Sequence, residues 1–433
     1  MKISPARRVR GRVKLPGDKS ISHRAAIIAA LATGTSRITN FSPSDDCRAT
    51  LSCLRQLGVS VLTEGNTLQV AGGELRAANA PLDCRNSGST IRMLAGVLAG
   101  QSFSSTLTGD PSLRSRPMQR IIEPLTNMGA RVTSANQKPP LTIEGASPLI
   151  PIRYELPIAS AQVKSCVLLA GLHAEGSTEV IERHKTRDHT ERMLTWLGVS
   201  LLSKKDDQGP NVIGIDGLKG FQARDLSIPG DISSAAFLIA AAALCSGSDL
   251  EIIEVGTNPS RTGFLSVLQS FGLQVEIADE RSECNEPRGI IHVRGRVDAA
   301  PAGENARLVH GRLTAELIDE LPLLAVVGTQ IPGGIEIRDA GELRYKESDR
   351  ISSTVTNLRA MGAEVEEFGD GLRITGPVRL RGARIDSFGD HRIAMAFAVA
   401  ALIAEGSSEI VGDECVGVSF PDFFRVLESV VER

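Results

Sequence analysis

The sequence predicts a two-domain α/β protein. Each domain holds three copies of one repeat, with apolar helices in the middle and sheets outside. Three observations predict it. An L-x-x-[hydrophobic]-G-[apolar] marker recurs along the chain, an Ala/Leu-rich helix followed by a β-branched strand recurs beside it, and those helices are apolar nearly all round. A helix without a polar face is buried on every side. Six such helices do not fit on sheet faces backed by water.

The marker reads "LRQLGVSV" from Leu54, "LTNMGARV" from Leu125, "LTWLGVSL" from Leu194, "LQSFGLQV" from Leu268 and "LRAMGAEV" from Leu358. Its interval is roughly seventy residues, and once about ninety. Each copy reads as a helix end, a Gly C-cap and then a strand. In chain order, "RRVRGRVKL" is a strand before the first helix. The apolar helices with their following strands are "AAIIAALATGTSRI", "MLAGVLAGQSFSSTL", "VLLAGLHAEGSTEVI", "AAFLIAAAALCSGSDLEI", "LPLLAVVGTQIPGGIEI" and "AFAVAALIAEGSSEIV". The sixth copy ends in "FRVLESVV", with no strand expected after it. The two chain ends are therefore expected to complete each other; the alternative is a frayed C-terminal helix.

Three repeats per domain place one domain at residues 17–230 and the other at 1–16 plus 231–433. The chain crosses near 15–19 and again near 229–232. A Pro-Gly-Asp sits at each crossing, and Gly and Pro suit a hinge.

Composition narrows the function. Hydrophobic residues make up 42% and charged residues 23% of 433, and the net charge is −3. This is an ordinary soluble globular composition, with no general attraction to nucleic acid or anionic membrane. Aromatics are 3%, too few for base-stacking platforms. The seven cysteines form no C-x-x-C pair and read as reduced, mostly buried thiols of a cytoplasmic protein. The histidines show no metal-ligand spacing. The N-terminus has no apolar core of a signal peptide, and no apolar run is long enough to cross a bilayer.

The two Pro-Gly-Asp copies form an internal control. The first reads "PGDKSISHR", the second "PGDISSAAF". Ile232 stands where Lys19 stood and Phe237 where Arg24 stood. The helix does not need the charges, so something else does. Similar clusters precede or open other apolar helices: "CRNSGSTIR" (84–92), "ASAQVKS" (159–165), "LTAELIDELP" (313–322) and "SFGDHR" (387–392). Two loops add Arg114, Arg116 and Arg120, then Arg344, Lys346 and Arg350. Helix N-termini carry partial positive charge and free N–H groups, so parallel helices with cations at their starts form an anion-binding surface. Two like charges about 4 Å apart repel by roughly 4 kcal/mol at an effective dielectric near 20. Such a surface is expected to stay open without ligand and to close around a multiply charged anion.

Each cluster also has a plain structural reading. A Lys or Arg at a helix start is usually solvated, "NSGS" is an ordinary turn, His391 fits a satisfied buried ring, and "KESDR" fits an exposed ion-paired helix. Cys166, beside Lys164 and Ser165, reads as core filler. Recurrence at equivalent repeat positions is what favours the functional reading.

"PGDKSISHR", "NSGSTIR", "GDPSLRSRP", "SAQVKS", "RDHTERM", "LIDELP", "RYKESDR", "GDHR" and "SFPDFF" together resemble the 5-enolpyruvylshikimate-3-phosphate synthase family, in the family's order and over essentially the whole chain. The resemblance implies a two-domain inside-out α/β barrel with three βαβαββ repeats per domain. It implies an enzyme of the shikimate pathway of aromatic amino acid biosynthesis, a transferase. The enolpyruvyl group of phosphoenolpyruvate (PEP) would pass to the 5-hydroxyl of shikimate 3-phosphate, releasing phosphate, by addition and elimination through a tetrahedral intermediate. No metal or other cofactor, no nucleic acid and no membrane is implied, and a monomer is expected.

Carried over residue by residue, Lys19, Ser20, Arg24, Ser160, Gln162, Arg187, Asp319 and Lys346 would hold shikimate 3-phosphate. Lys19, Gly88, Arg116, Gln162, Arg350 and Arg392 would hold PEP, Arg being suited by its bidentate fork. Asp319 would be the base for the 5-hydroxyl. Glu347 would protonate C3 of PEP, with Lys346 assisting.

The chain also departs from the family pattern. Val418 occupies a position where many members have Lys, and Ala161 one where many have Ser. Arg187 resembles the subgroup tolerant of the inhibitor glyphosate, whereas Gly88 leaves the space that tolerant enzymes block; the two point in opposite directions. The runner-up is the sister family that uses UDP-N-acetylglucosamine, but its loop Cys is missing from 109–117. A non-catalytic anion-binding protein is a third reading, opposed by Asp319, Glu347 and the full Arg set.

Overall fold

The five marker glycines share one backbone conformation. Gly58, Gly129, Gly198, Gly272 and Gly362 all have φ between +79° and +95° in the computed structural model, which describes residues 1–204, 209–218, 220–295, 303 and 307–433. Each sits just past a helix end, where a left-handed residue lets the chain turn back on the last carbonyls. Val59 N–H reaches Leu54 O at 3.0 Å and Gly58 N–H reaches Arg55 O at 3.1 Å. The same pair of bonds recurs after Leu125, Leu194, Leu268 and Leu358. This is the Schellman arrangement, with an apolar contact between the leucine and the residue after glycine. It explains why the marker keeps Leu, Gly and an apolar residue and little else.

The chain forms two compact units. One is Gly17–Ile228 with Ser282–Glu286; the other is Met1–Pro16, Pro229–Arg281 and Pro287–Arg433. Each has its own hydrophobic core. Three buried helices run through the core of the first unit: Lys19–Leu31, Gly88–Ala99 and Ala161–Gly171. Three run through that of the second: Ile232–Leu244, Leu321–Gly328 and His391–Leu402. Ala and Gly let these helices approach closely. A Cβ on Gly96 would stand 2.2 Å from the carbonyl oxygen of Cys166, so the Gly88 and Ala161 helices pack there backbone to backbone. Cys166 is buried, and burial pushes its thiol up to about 12.

The sheets follow one pattern. Strand Leu82–Asp83 leads into the Gly88 helix and pairs parallel with Ser104–Thr108. A hairpin, Arg131–Ala135 with Lys138–Glu144, then adds antiparallel. A strand, a helix and a parallel strand form the βαβ unit, which requires a crossover of this kind. Sheets around Ser177–Glu182 and Ile335–Ile337 repeat the order. The strands alternate, as in Lys138–Glu144, between buried and more exposed residues.

The two chain ends complete each other, as expected, though not through the expected strand. Arg8–Lys14 pairs parallel with Asp249–Gly256, in the sheet of the fourth repeat. The strand before the Ile232 helix, Leu226–Ser227, pairs parallel with Gly34–Thr39 after the Lys19 helix. The two first strands are thus exchanged at the two crossings. The sixth repeat is completed by Lys2–Ile3 against Ser408–Val411. The C-terminal helix Phe423–Val430 is followed by a short strand after all, Val431–Glu432, which pairs with Arg8 and Val9.

Pro-Gly-Asp proves to be a helix entry. A Cβ on Gly17 would lie 1.8 Å from Asn40 O, so only glycine fits. Asp18 caps the Lys19 helix by accepting from Ile21 N–H at 2.9 Å. Asp231 does the same for the Ile232 helix at Ser233 N–H, 2.8 Å. A capping carboxylate satisfies orphan N–H groups and offsets the positive helix end. The expected free N–H groups are therefore partly occupied, as also at Asp390. What remains for a ligand is the cations on the first turns.

Candidate active site

In the first unit, cations stand on or beside the starts of all three buried helices. Lys19 Nζ pairs with Asp46 at 3.0 Å. Arg24, one turn on, is buried and donates Nη1–H to Ser20 O at 2.8 Å, Nε–H to Thr190 Oγ1 at 2.8 Å and Nη2–H to Ser165 Oγ at 2.9 Å. Burial first, and then the nearby Arg187, pull its pKa down to about 10 against the opposing charge of Glu191. Arg187 thus acts against the charge of Arg24, and Glu191 acts in its favour.

Gly88 opens the second helix, beneath two guanidinium groups. A Cβ there would lie 2.5 Å from Arg92 Nη1 and 3.4 Å from Arg116 Nη1. Arg116 is buried and donates to Asn86 Oδ1 at 2.6 Å and Ser112 Oγ at 3.3 Å. Arg92 donates to Gln162 Oε1 at 3.0 Å, and Gln162 donates to Ser89 Oγ at 2.9 Å. Gly88, Arg116 and Gln162 are thus neighbours. Ser160 caps the third helix by accepting from Val163 N–H at 3.4 Å. Arg114 and Arg120 are exposed and remain solvated surface charges.

In the second unit, Arg350 gathers the acidic residues. It begins a helix capped by Asp349, lies 2% exposed, and donates Nε–H to Asp390 Oδ2 at 2.8 Å and Nη2–H to Glu347 Oε2 at 2.6 Å. Asp319 Oδ1 stands 3.6 Å from its Nη1. Burial opposes the charge, but Asp390 and Glu347 outweigh it and raise the pKa above the ordinary arginine value. Arg392 stands at the start of the His391 helix, with Nη1 3.5 Å from Glu320 Oε1. Lys346 pairs with Glu342 at 3.3 Å. Arg344, counted from sequence among the ligand cations, is spent on the frame: it binds Asp349 at 2.6 Å, Glu367 at 3.1 Å and two carbonyls.

Sequence reading missed several partners. Arg92 lies inside the quoted "NSGSTIR", one helical turn after Gly88, and that spacing was a usable signal. Asp390 and Glu320 also lie inside quoted motifs, but only the fold shows which arginine each one faces. Lys164 is fully buried between Glu182 at 3.0 Å and Glu191 at 2.6 Å; nothing in the sequence marks that triad. Among the described residues no cluster of His, Cys, Asp or Glu could hold a metal ion, and no helix is long and apolar enough to cross a membrane.

A profile of the family EPSP synthase (3-phosphoshikimate 1-carboxyvinyltransferase) matches residues 3–427. The chain belongs to this family. It is 49% identical to the 3-phosphoshikimate 1-carboxyvinyltransferase of Koribacter versatilis, over 100% of this chain and 99% of that one. Its identity to the enzyme of the same name from Solibacter usitatus is also 49%, over the same shares of the two chains. The solved structure of EPSP synthase from Acinetobacter baumannii superposes with a TM-score of 0.85 at 38% identity, covering 99% of this chain and 98% of that chain.

Proposed function

We propose that Asp319, Glu347 and Lys346 move the protons as this chain transfers the enolpyruvyl group of PEP to the 5-hydroxyl of shikimate 3-phosphate. The observation that carries the reading is that one buried guanidinium, Arg350, faces both acids, Glu347 at 2.6 Å and Asp319 at 3.6 Å. A cation beside a carboxylate favours its ionised form, which suits Asp319 as a base. PEP arriving on Arg350 brings negative charge towards Glu347 and favours a proton on it, which suits Glu347 as an acid.

The steps then balance. The 5-hydroxyl oxygen attacks C2 of PEP while its proton passes to Asp319, and C3 takes a proton from Glu347, giving the tetrahedral intermediate. C3 returns a proton to Glu347, the C2–O bond to phosphorus breaks, and phosphate leaves with the electron pair and the proton held by Asp319. Lys346 assists at C3. These are general acid–base steps within preorganised positive charge.

Shikimate 3-phosphate is assigned to Lys19, Ser20, Arg24, Ser160, Gln162, Arg187, Asp319 and Lys346. PEP is assigned to Lys19, Gly88, Arg116, Gln162, Arg350 and Arg392. The bonds linking Arg24 to Ser20 and Arg92 to Gln162 and Gly88 support this grouping. We read each unit as an inside-out α/β barrel of three βαβαββ repeats, in keeping with three buried helices and three sheets apiece. We further read the protein as a monomer, and as cytoplasmic in keeping with its seven free cysteines.

The test is phosphate release from PEP mixed with shikimate 3-phosphate or with UDP-N-acetylglucosamine. Release is expected only with the first; release only with the second overturns the reading.

A further inference from the structure

The second Pro-Gly-Asp copy, "PGDISSAAF", carries no charge on its first turn, and the reaction above uses none of its residues. Its side chains nevertheless converge on Arg392. Arg261 Nη2–H donates to Ser233 Oγ at 2.7 Å. A guanidinium has no acceptor, so the hydroxyl of Ser233 accepts there and sends its own proton to Glu320 Oε1, its other close partner. The same Oε1 stands 3.5 Å from Arg392 Nη1. Phe237, at the position that Arg24 fills in the first copy, lies under the Arg392 guanidinium, 5.8 Å from centre to centre. Ser233 is 2%, Glu320 6%, Phe237 1% and Arg392 7% exposed, so water does little to screen these contacts.

We propose that Ser233, Glu320 and Phe237 are positioning residues for Arg392, setting its guanidinium for PEP. This rests on the reading of Arg392 as a PEP ligand. The chemistry is a divided anchor. Glu320 orients Arg392 through an ion pair too long for a hydrogen bond, because the oxygen it presents is already bound by Ser233 and, through Ser233, faces Arg261. The Phe237 ring supports the cation through its negative face. Arg392 Nη1 is buried without a hydrogen bond, so the anchor leaves a donor for an incoming carboxylate or phosphate. In the first copy the helix start presents Lys19 and Arg24 directly. In the second copy Ser233, at the Ser20 position, and Phe237, at the Arg24 position, buttress a cation offered by another helix of the same unit.

The test is steady-state kinetics on the full chain with PEP and shikimate 3-phosphate, following phosphate release. Ser233→Ala lets Glu320 draw Arg392 towards itself, and a three- to tenfold rise in KM for PEP is expected. KM for shikimate 3-phosphate and kcat should hold within twofold. Ser233→Thr keeps the hydroxyl and should restore the wild-type KM. Phe237→Leu removes the ring face at similar volume and should raise KM for PEP about threefold, which keeps the test open if the alanine variant fails to fold. In an Arg392→Lys background the effect of Ser233→Ala should vanish. If Arg392→Lys alone leaves KM for PEP unchanged, the assignment of Arg392 to PEP fails. If Arg392→Lys raises it but Ser233→Ala and Phe237→Leu do not, the positioning role fails. A parallel rise in both KM values would show a merely structural effect and also overturn the proposal.

Discussion

The two units hold their arginines differently. In the first, the bonds from Arg24, Arg92 and Arg116 described above go to hydroxyl, amide and carbonyl oxygens. In the second, Arg350 is held by Asp390 and Glu347, and Arg392 faces Glu320. Neutral acceptors fix a guanidinium without cancelling its charge. Carboxylates cancel charge and hold the second unit's arginines through ion pairs. The difference lies in how a guanidinium is held: by neutral oxygens at these sites of the first unit, by carboxylates at these sites of the second.

The largest expected effect comes from removing the base. Asp319→Asn should lower turnover about 100- to 10,000-fold, with folding and substrate KM values nearly kept, since its contact to Arg350 is long at 3.6 Å. Phosphate release measures it, and wild-type turnover would take the base role away from Asp319. Next is a matched pair in urea unfolding. Arg350→Met strands Asp390 and Glu347 and should cost about 3–5 kcal/mol, whereas Arg116→Met strands the amide of Asn86 and the hydroxyl of Ser112 and should cost about 1–3 kcal/mol. Equal losses would erase the contrast between the units.

A smaller effect belongs to His23, which is buried with Nδ1 2.7 Å from Thr50 Oγ1 and has its pKa held well below the usual value by burial and then by Lys19 and Arg24. Unfolded, this imidazole takes a proton below about pH 6.5; folded, it stays neutral. The unfolded state then binds more protons, so His23 should make stability fall with falling pH by up to about 1.4 kcal/mol per unit below that point. His23→Gln should remove that share of the slope in urea titrations at pH 5 to 8, and an unchanged slope would mean His23 charges in the fold. Smallest is Ser160→Gly, which should cost only a few tenths of a kcal/mol because glycine also caps helices. KM for shikimate 3-phosphate should nevertheless rise; an unchanged KM would reduce Ser160 to a cap.

Much of the architecture was legible because it is written in repeated local chemistry. The Leu-x-x-x-Gly marker is a Schellman helix end at each of its five sites, and an all-apolar helix states its own burial. The ends were less legible. That Arg8–Lys14 joins the fourth repeat and Lys2–Ile3 the sixth is a choice between equivalent sheet edges, and no local residue encodes it. Likewise the motifs named the cations but not their keepers. Arg344 and Arg350 lie six residues apart in "RYKESDR", yet one is fastened to a neighbouring strand and loop and the other faces both candidate proton carriers. Ser233 and Phe237 looked like a motif stripped of function because their partners, Glu320 and Arg392, are distant in the sequence.

The most direct measurement is a crystal structure of the Asp319→Asn variant holding both substrates. Arg24, Ser160, Arg187 and Lys346 are predicted within hydrogen-bond reach of shikimate 3-phosphate, and Arg116, Arg350 and Arg392 within reach of PEP, with residue 319 beside the 5-hydroxyl. A structure in which PEP sits away from Arg116, Arg350 and Arg392, or in which the 5-hydroxyl faces another side chain, would contradict the account.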